Sequence, residues 1–507
     1  MLLAMKKLLL VNPSYRNSYG GSVASLANPV FPVLSLASLA AVAESAGAQV
    51  EILDFCWRDY SSDVFEDKVK SFKPDVIGFT VLTPSANQVR DMSCATKLIS
   101  KNIITIAGGS HVTALPFKTL KESFLDIVIM SEGEATFNEI LEGKKLSEIS
   151  GITYRDSSGV IRQNQARQAI KNLDELPIPS WEKFDFDDYK DNISKLYTKK
   201  HPFVSVEFSR GCVYKCDFCA SKLSMFLGYR KKTPQRCAQE VLHLRNLGVK
   251  EFMLTDDIFT SDKNWAKNVC REIIKLNTGV IWTCANGIRV ESADLELFTL
   301  MKKAGCYRVA FGFESGNDQV LKSFGKGGRA SLENGKIAVK LARKAGLEVH
   351  GYFLIGLSDD NKDTIEETIS YARTLPLDLL KFGVALAFPG TRMFNRYRER
   401  GLIKSFNWDN YHMYSGSELF SHEALTKDEI NQCIKKAYRK TTFLSPRFIM
   451  RRLIYSIKNM NLLLQARSFF KYIFLSYTKS ESNVFYKYQS MWPEDVSDED
   501  TEKIFAI

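Results

Sequence analysis

Three of the chain's ten cysteines fall within eight positions of one another, in "SRGCVYKCDFCASK" (residues 209–222), at the spacing C-x3-C-x2-C. Thiolates at Cys212, Cys216 and Cys219 can ligate three irons of a [4Fe–4S] cluster and leave a fourth iron open to a small molecule. Structural zinc usually takes four ligands, and neither a second CxxC pair nor a nearby histidine supplies the fourth here. The other seven cysteines (56, 94, 237, 270, 284, 306 and 433) are isolated in sequence, so no auxiliary cluster is expected. Cys306, at the start of a strand pattern, reads as core.

The cysteines need a scaffold, and an apolar run, "FVSVEF", directly precedes them. Loops after strands are where β/α folds place their chemistry. Five more runs follow ("EFMLTDD", "VIWTCANG", "RVAFGFES", "EVHGYFLIG" and "LKFGVALAF"), each beside a helix pattern. Six units predict a partial (β/α)6 barrel. Residues 6–145 carry an earlier series, with strand runs at "KKLLLVN", "QVEILDF", "DVIGFTVL", "IITIAGG" and "DIVIMSEGE". A helix pattern between the first two ends at Gly47, a left-handed cap position. Five such units predict a doubly wound, Rossmann-like sheet that binds ligands at the carboxyl ends of its strands. "GITYRDSSGVIRQ" reads as a hairpin turning at "DSSG", and residues 170–200 as a proline-bearing connection. The expected organisation is an α/β domain over 1–150, a hairpin and linker over 151–200, the barrel over 201–395, and a mainly helical, basic and aromatic region over 396–507.

The chain's 507 residues, 45% apolar and 25% charged, suit two or three folded domains. Ten scattered cysteines do not make a disulfide framework. The opening apolar run after Lys7 is four residues long and lacks a cleavage site, so a buried first strand is expected rather than a signal peptide. With no run of eighteen apolar residues, no transmembrane segment is expected, and scattered cysteines without a secretory signal lead to the expectation of a reducing cytoplasm. The net charge is +11, and residues 431–480 hold eleven Lys or Arg and no Asp or Glu. Without a recognition module this is weak evidence for nucleic acid, which is not expected as a partner. The tail pattern "SPRFIMRRLIYSIKNMNLLLQARSFFKYIFLSY" leaves two readings: an amphipathic helix packed on the barrel, which is preferred, or peripheral contact with an anionic membrane.

The cysteine spacing, with aromatic Phe218 directly before the last thiol, resembles the signature of radical S-adenosylmethionine (SAM) enzymes. "LDELPIPSWEKFDFDDY", "LTDDIFT", "MKKAGCYRVAFGFESGNDQVLKSFGKG", "FLIGL" and "FPGTRMF" follow the order of the cobalamin-binding branch, which includes class B methyltransferases and anaerobic magnesium-protoporphyrin ester cyclases. The resemblance spans roughly residues 6–395. It implies a [4Fe–4S] cluster whose open iron chelates SAM, and a 5′-deoxyadenosyl radical that abstracts hydrogen from an unactivated carbon. By position it implies SAM contacts at Asp256 and Asp257 after the second barrel strand, Asn286 and Arg289 after the third, and Glu314 and Ser315 at the end of the fourth. Ile355 and Gly356, in "GYFLIGL", would wall the adenine. The family's proline-glycine-acid turn is here "LSDDN", where Asp359 or Asp360 stands for the acid. Tyr214, between the first two cysteines, could pack against the cluster or reach SAM, and packing is expected.

The same resemblance makes the first domain a cobalamin-binding domain. Thr80, Thr83 and Ser85 would line the corrin. Gly108 and Gly109 would let the backbone approach it, and Ser110, His111 and Thr113 would hydrogen-bond its nucleotide tail. "SEGEATF" (residues 131–137) supports the match. The Asp-x-His-x-x-Gly signature of a lower axial histidine is absent from the sequence. The implied activity is carbon methylation from methylcobalamin, one SAM remethylating the cobalt and another giving the radical. No catalytic side chain is assigned beyond the cofactor ligands. The implied partners are a flavodoxin- or ferredoxin-type electron donor and a small-molecule or lipid substrate. A radical cyclase or rearrangement enzyme on this scaffold is the alternative, and a non-catalytic cobalamin or redox sensor is a second.

Overall fold

The protein is described from a computed structural model covering residues 7–14, 30–190, 198–226, 228–326, 331–412, 416–458 and 484–495. The first sheet contains β1 (Lys7–Asn12), β2 (Gln49–Asp54), β3 (Val76–Thr80), β4 (Ile104–Gly108), β5 (Ile127–Ile129), β6 (Ile152–Arg155) and β7 (Ile161–Gln163), in the order β2-β1-β3-β4-β5-β6-β7. Strands β1 to β5 are parallel. The expected hairpin, β6–β7, extends their sheet antiparallel from the β5 edge.

Side-chain alternation explains why "LLLV" makes a central strand. Leu8 and Leu10 enter the core on one face, and Leu9 and Val11 enter a separate core on the other. The helix Leu34–Ser45 covers the first face and stops at Gly47, whose φ of +83° lets Ala48 N–H reach back to the Ala43 carbonyl (3.0 Å). The strand order reverses between β1 and β3, which opens a crevice at the carboxyl ends.

The second sheet runs β8 (Phe203–Val206), β11 (Glu251–Leu254), β12 (Ile281–Ile288), β13 (Cys306–Glu314), β14 (Glu348–Ile355), β15 (Leu379–Val384), all parallel. This is the expected six-stranded partial barrel. Between β8 and β11, β9 (Ser209–Arg210) and β10 (Arg230–Lys231) pair antiparallel and close the base of the cysteine loop. Val204, Phe252, Trp282, Val309, Phe353 and Phe382 pack outward against helices. Alternation therefore turns Ser205, Met253, Thr283, Ala310, Gly312, Tyr352 and Lys381 into the lumen. On the outer face, stacked rings link Phe313 to Phe353 (5.3 Å) and Phe353 to Phe382 (5.1 Å). The Tyr438 hydroxyl covers the free edge of β15, bonding both the N–H and the carbonyl of Phe382 (3.1 Å each).

Among the described residues no helix is long and apolar enough to cross a membrane. The tail divides the two readings made of it. In helix Pro446–Lys458, Phe448 is buried and Arg451 donates to the Leu377 carbonyl (3.0 Å), as packing on the barrel requires. Ile449, Met450, Leu453, Ile454 and Ile457 are nevertheless exposed. The rest of the basic aromatic run, 459–483, lies outside the described residues. The chain is described again at 484–495, against the first domain. There Tyr488 N–H donates to Asp91 (2.8 Å), and Arg90 stacks over Trp492 (4.6 Å).

Candidate cofactor site at the meeting of two domains

The cysteine loop follows β9 at Gly211, where φ is +83° and a Cβ would strike the Gly228 carbonyl oxygen, so only glycine lets the loop leave the strand here. Cys212, Cys216 and Cys219 are free thiols, each partly exposed. Burial raises all three pKa values, Cys219 to about 11, while Lys326 and Arg289 act on Cys216 in the opposite sense. The loop is strapped from two sides. Asp217 N–H donates to the Phe324 carbonyl (3.0 Å), with Phe218 against the Phe324 ring. Met393 N–H donates to the Asp217 carbonyl (3.1 Å), and Arg396 pairs with its carboxylate (2.9 Å). Met393 and Arg396 begin the helix Arg392–Glu399, which "FPGTRMF" opens.

The residues expected to surround SAM divide by what they already bond. Asp257 lies beside the thiols: it accepts from Gly211 N–H (3.2 Å), and its charge is felt by Cys212 and Cys219. Glu314 is held at φ +62°, an unusual conformation for a non-glycine residue, and its carboxylate pairs with Lys326 (2.8 Å). Asn286 is exposed and donates to the Thr255 carbonyl (2.9 Å). Arg289 stacks on Tyr214 at 3.6 Å, pairs with Glu291 and donates to the Lys326 carbonyl (3.1 Å). Tyr214 therefore packs on Arg289, outside its own loop.

Asp256 is fully buried and takes hydrogen bonds from Phe208 N–H (2.8 Å) and the Ser209 hydroxyl, with burial raising its pKa to about 7. Ser315 is likewise buried, between the Thr368 hydroxyl (3.3 Å) and Asn317 N–H (3.2 Å). Both meet their hydrogen bonds inside the chain. Ile355 is buried, and Gly356 turns the chain at φ +80°. The acid of that turn is Asp360, not Asp359. Its carboxylate accepts from Gly356 and Leu357 N–H (3.0 Å each), and burial raises its pKa to about 6.

The first-domain loop divides in the same way. At Gly109 (φ +117°) a Cβ would sit 2.6 Å from the Val81 carbonyl, whereas at Gly108 it would meet nothing within 4 Å. Thr80 and Ser110 are partly exposed. The Ser85 hydroxyl closes a turn on Leu82, and that of Thr113 donates to the Gly109 carbonyl (2.9 Å) while accepting from Ser131 N–H (2.9 Å). His111 is buried against Trp408 (5.1 Å) with Nδ1 3.4 Å from the Thr83 hydroxyl, and burial lowers its pKa to about 3.

The two loops meet. The Ser131 hydroxyl donates to the Leu223 carbonyl (2.9 Å) of the helix Ser221–Met225 that follows the thiols. Gly390 fits where Leu223 and Ala114 converge. Beside this seam lies a buried ionic network. Arg210 binds Glu132 (3.0 Å), Glu134 (2.6 Å) and Glu207 (2.6 Å), and Arg230 also binds Glu132 (2.8 Å).

Two family models match: the Radical SAM superfamily over residues 206–372, and the B12 binding domain over 22–141. The chain is 32% identical over 440 residues to an uncharacterized methyltransferase of Pyrococcus horikoshii, a match covering 85% of this chain and 91% of that protein. It belongs to the cobalamin-binding radical SAM superfamily. An anaerobic magnesium-protoporphyrin IX monomethyl ester cyclase of Rubrivivax gelatinosus is 25% identical (86% of this chain, 77% of that protein). A cytidylyl-2-hydroxyethylphosphonate methyltransferase of Streptomyces wedmorensis is 27% identical (78% and 83%). In fold, the chain matches the cobalamin-dependent radical enzyme OxsB (TM-score 0.66, 18% identity, 93% of this chain and 72% of that one). It also matches the methyltransferase TsrM of Kitasatospora setae with cobalamin and a [4Fe–4S] cluster bound (TM-score 0.63, 20% identity, 78% of each chain).

The superfamily's cofactors are a [4Fe–4S] cluster, SAM and cobalamin, and the donor sets fit them. Three free thiols share one loop, with cationic Lys326 and Arg289 to offset the charge of thiolates. A Cβ at Gly108 would meet nothing within 4 Å, so the backbone beside the partly exposed Thr80 and Ser110 is open to approach. "SEGEATF" marks the superfamily in the sequence, but what its acids bind is not legible there. Glu132 and Glu134 hold Arg210 and Arg230 on the two sides of the cysteine loop. The signal was two acids one residue apart in a strand-end loop, facing an arginine that directly precedes the loop's first glycine.

Proposed function

We propose that the protein is a cobalamin-dependent radical SAM methyltransferase acting on an unactivated carbon. The observation that carries this reading is the seam where Ser110–Ala114, the turn of helix after Gly108 and Gly109, packs against Ser221–Met225, the helix that follows the thiols. When bound, the cluster with SAM supplies a radical that abstracts hydrogen, and cobalamin supplies the methyl group. The chain's part is to hold and enclose. Cys212, Cys216 and Cys219 would ligate the cluster, and Asp257, Asn286 and Glu314 offer polar contacts to SAM. Ile355 and Gly356 would wall its adenine, and Gly108, Thr80 and Ser110 would support the corrin. Arg289 and Lys326 act as positioning residues, fixing Tyr214 and Glu314, while the apolar cluster of Phe324, Leu357, Phe394 and Trp408 excludes water from the seam. Electrons would come from a flavodoxin- or ferredoxin-type donor.

Anaerobic turnover tests the reading: reconstituted enzyme, reductant and SAM should give both 5′-deoxyadenosine and S-adenosylhomocysteine. The cyclase relative favours a second reading, a rearrangement without methyl transfer, which predicts 5′-deoxyadenosine alone. The exposed apolar residues of helix 446–458, among Arg447, Arg451 and Arg452, support peripheral contact with an anionic surface.

A further inference from the structure

Facing the barrel lumen is a cation, Lys381, that no described residue matches. Three of the cations in and around the barrel have carboxylates: Arg308 pairs with Glu348 (2.9 Å), Lys326 with Glu314 (2.8 Å), and Arg210 with its three glutamates. Lys381, in the middle of β15, has none among the described residues. Its neighbours Leu380 and Phe382 belong to the outer core, and Phe382 is clasped by Phe353 and Tyr438, so Lys381 points the other way, into the lumen. No described residue offers its ammonium a hydrogen bond or an ion pair. Burial alone lowers its pKa.

In register beside it is Tyr352, and beside Tyr352 is Gly312, whose carbonyl accepts from Lys326. Tyr352 is also without a hydrogen-bond partner among the described residues. Two strand spacings, about 10 Å, thus separate the β15 backbone from the strand carrying Glu314. Lys381 is only partly exposed, and an ammonium drawn partly out of water without a counter-charge is costly unless something anionic completes it.

We propose that Lys381, with the Tyr352 hydroxyl, is a substrate-binding site for an acidic group, so that the substrate carries a carboxylate, phosphate or phosphonate. This rests on reading the lumen as the substrate chamber. It narrows the substrate from any small molecule to an organic anion whose charged end sits against β15. The carbon to be attacked then lies toward β13 and the thiol loop.

Trace acetylation of the full chain, read residue by residue by mass spectrometry, tests this without turnover and so can succeed or fail independently of methyl transfer. An ammonium whose pKa rises by one unit loses about tenfold of its reactive free amine. Saturating phenylphosphonate should therefore slow acetylation of Lys381 about tenfold or more, while the exposed Lys101 and Lys171 react as before. Benzoate and inorganic phosphate, run alongside, show which acid the site prefers, and protection by any of the three supports the proposal. Four results would overturn it: no protection by any of these anions, equal protection by neutral benzyl alcohol, full protection by SAM alone, or a Lys381 that does not react even in the free protein.

Discussion

The thiol loop and the first-domain loop are built on opposite rules. On the thiol loop the reactive atoms are free: none of the three sulfurs is bonded to another, and the surrounding backbone is strapped by Phe324 and Met393 so that they stay so. On the first-domain loop the polar side chains are already in use. Ser85 and Thr113 close their own turns, and His111 packs on Trp408. What remains open there is backbone, at Gly108, with Thr80 and Ser110 at its margin. Under the proposed function, one loop would bind through side-chain donors and the other would admit a large ligand against glycine.

The sharpest way to break this contrast is at the thiols. Replacing Cys212, Cys216 or Cys219 with Ala should abolish the charge-transfer absorption of the reconstituted cluster and all 5′-deoxyadenosine formation. Next in size is the network that holds the loops together. Arg210→Met leaves three buried carboxylates short of a partner and should cost about 3–5 kcal/mol in denaturant unfolding. Glu134, whose pKa the arginine holds down against the opposing effect of burial, gives this a pH signature. The stabilisation is present above the unfolded carboxylate pKa and is lost as pH falls through the folded one, and the variant should lack that part of the acid sensitivity.

On the other loop, Gly109→Ala should cost about 1–3 kcal/mol from the positive φ and the Val81 clash, and should lower retained corrin while leaving the cluster intact. His111→Gln sharpens the point from the opposite side. An imidazole that serves as packing should leave the retained corrin and its cobalt spectrum unchanged. Burial depresses the His111 pKa to about 3, so the folded state resists its protonation. Stability should fall below the unfolded pKa of about 6.5, by at most about 1.4 kcal/mol per pH unit from this group, and the variant should lose that share of the slope. Smallest is the tail: Ile454→Glu should weaken sedimentation with anionic vesicles and leave corrin and cluster untouched.

What the sequence reveals of these loops follows from how local each determinant is. The cysteine spacing, the thirteen parallel and hairpin strands of the two large sheets, and the Gly47 stop are all written within a few residues, and the strand periodicities carry through to both sheets. Asp256 shows the limit. A strand-end acid looks the same whether it points to a ligand or back at Ser209, and only the fold decides. Arg210 and Glu132 are separated by 78 positions, and Trp408, which follows the last barrel strand in sequence, packs on His111 of the first domain, so no window on the chain pairs them. Lys381 is the converse case. Its importance lies in what does not face it, and that is not visible in "LLKFGV".

The central claim, that the two loops form one site for cluster and corrin, is tested most directly by reconstituting the protein anaerobically with iron, sulfide and hydroxocobalamin and measuring corrin after desalting. Near-equimolar corrin retained beside an intact cluster is the predicted result. An intact cluster with no retained corrin would contradict it.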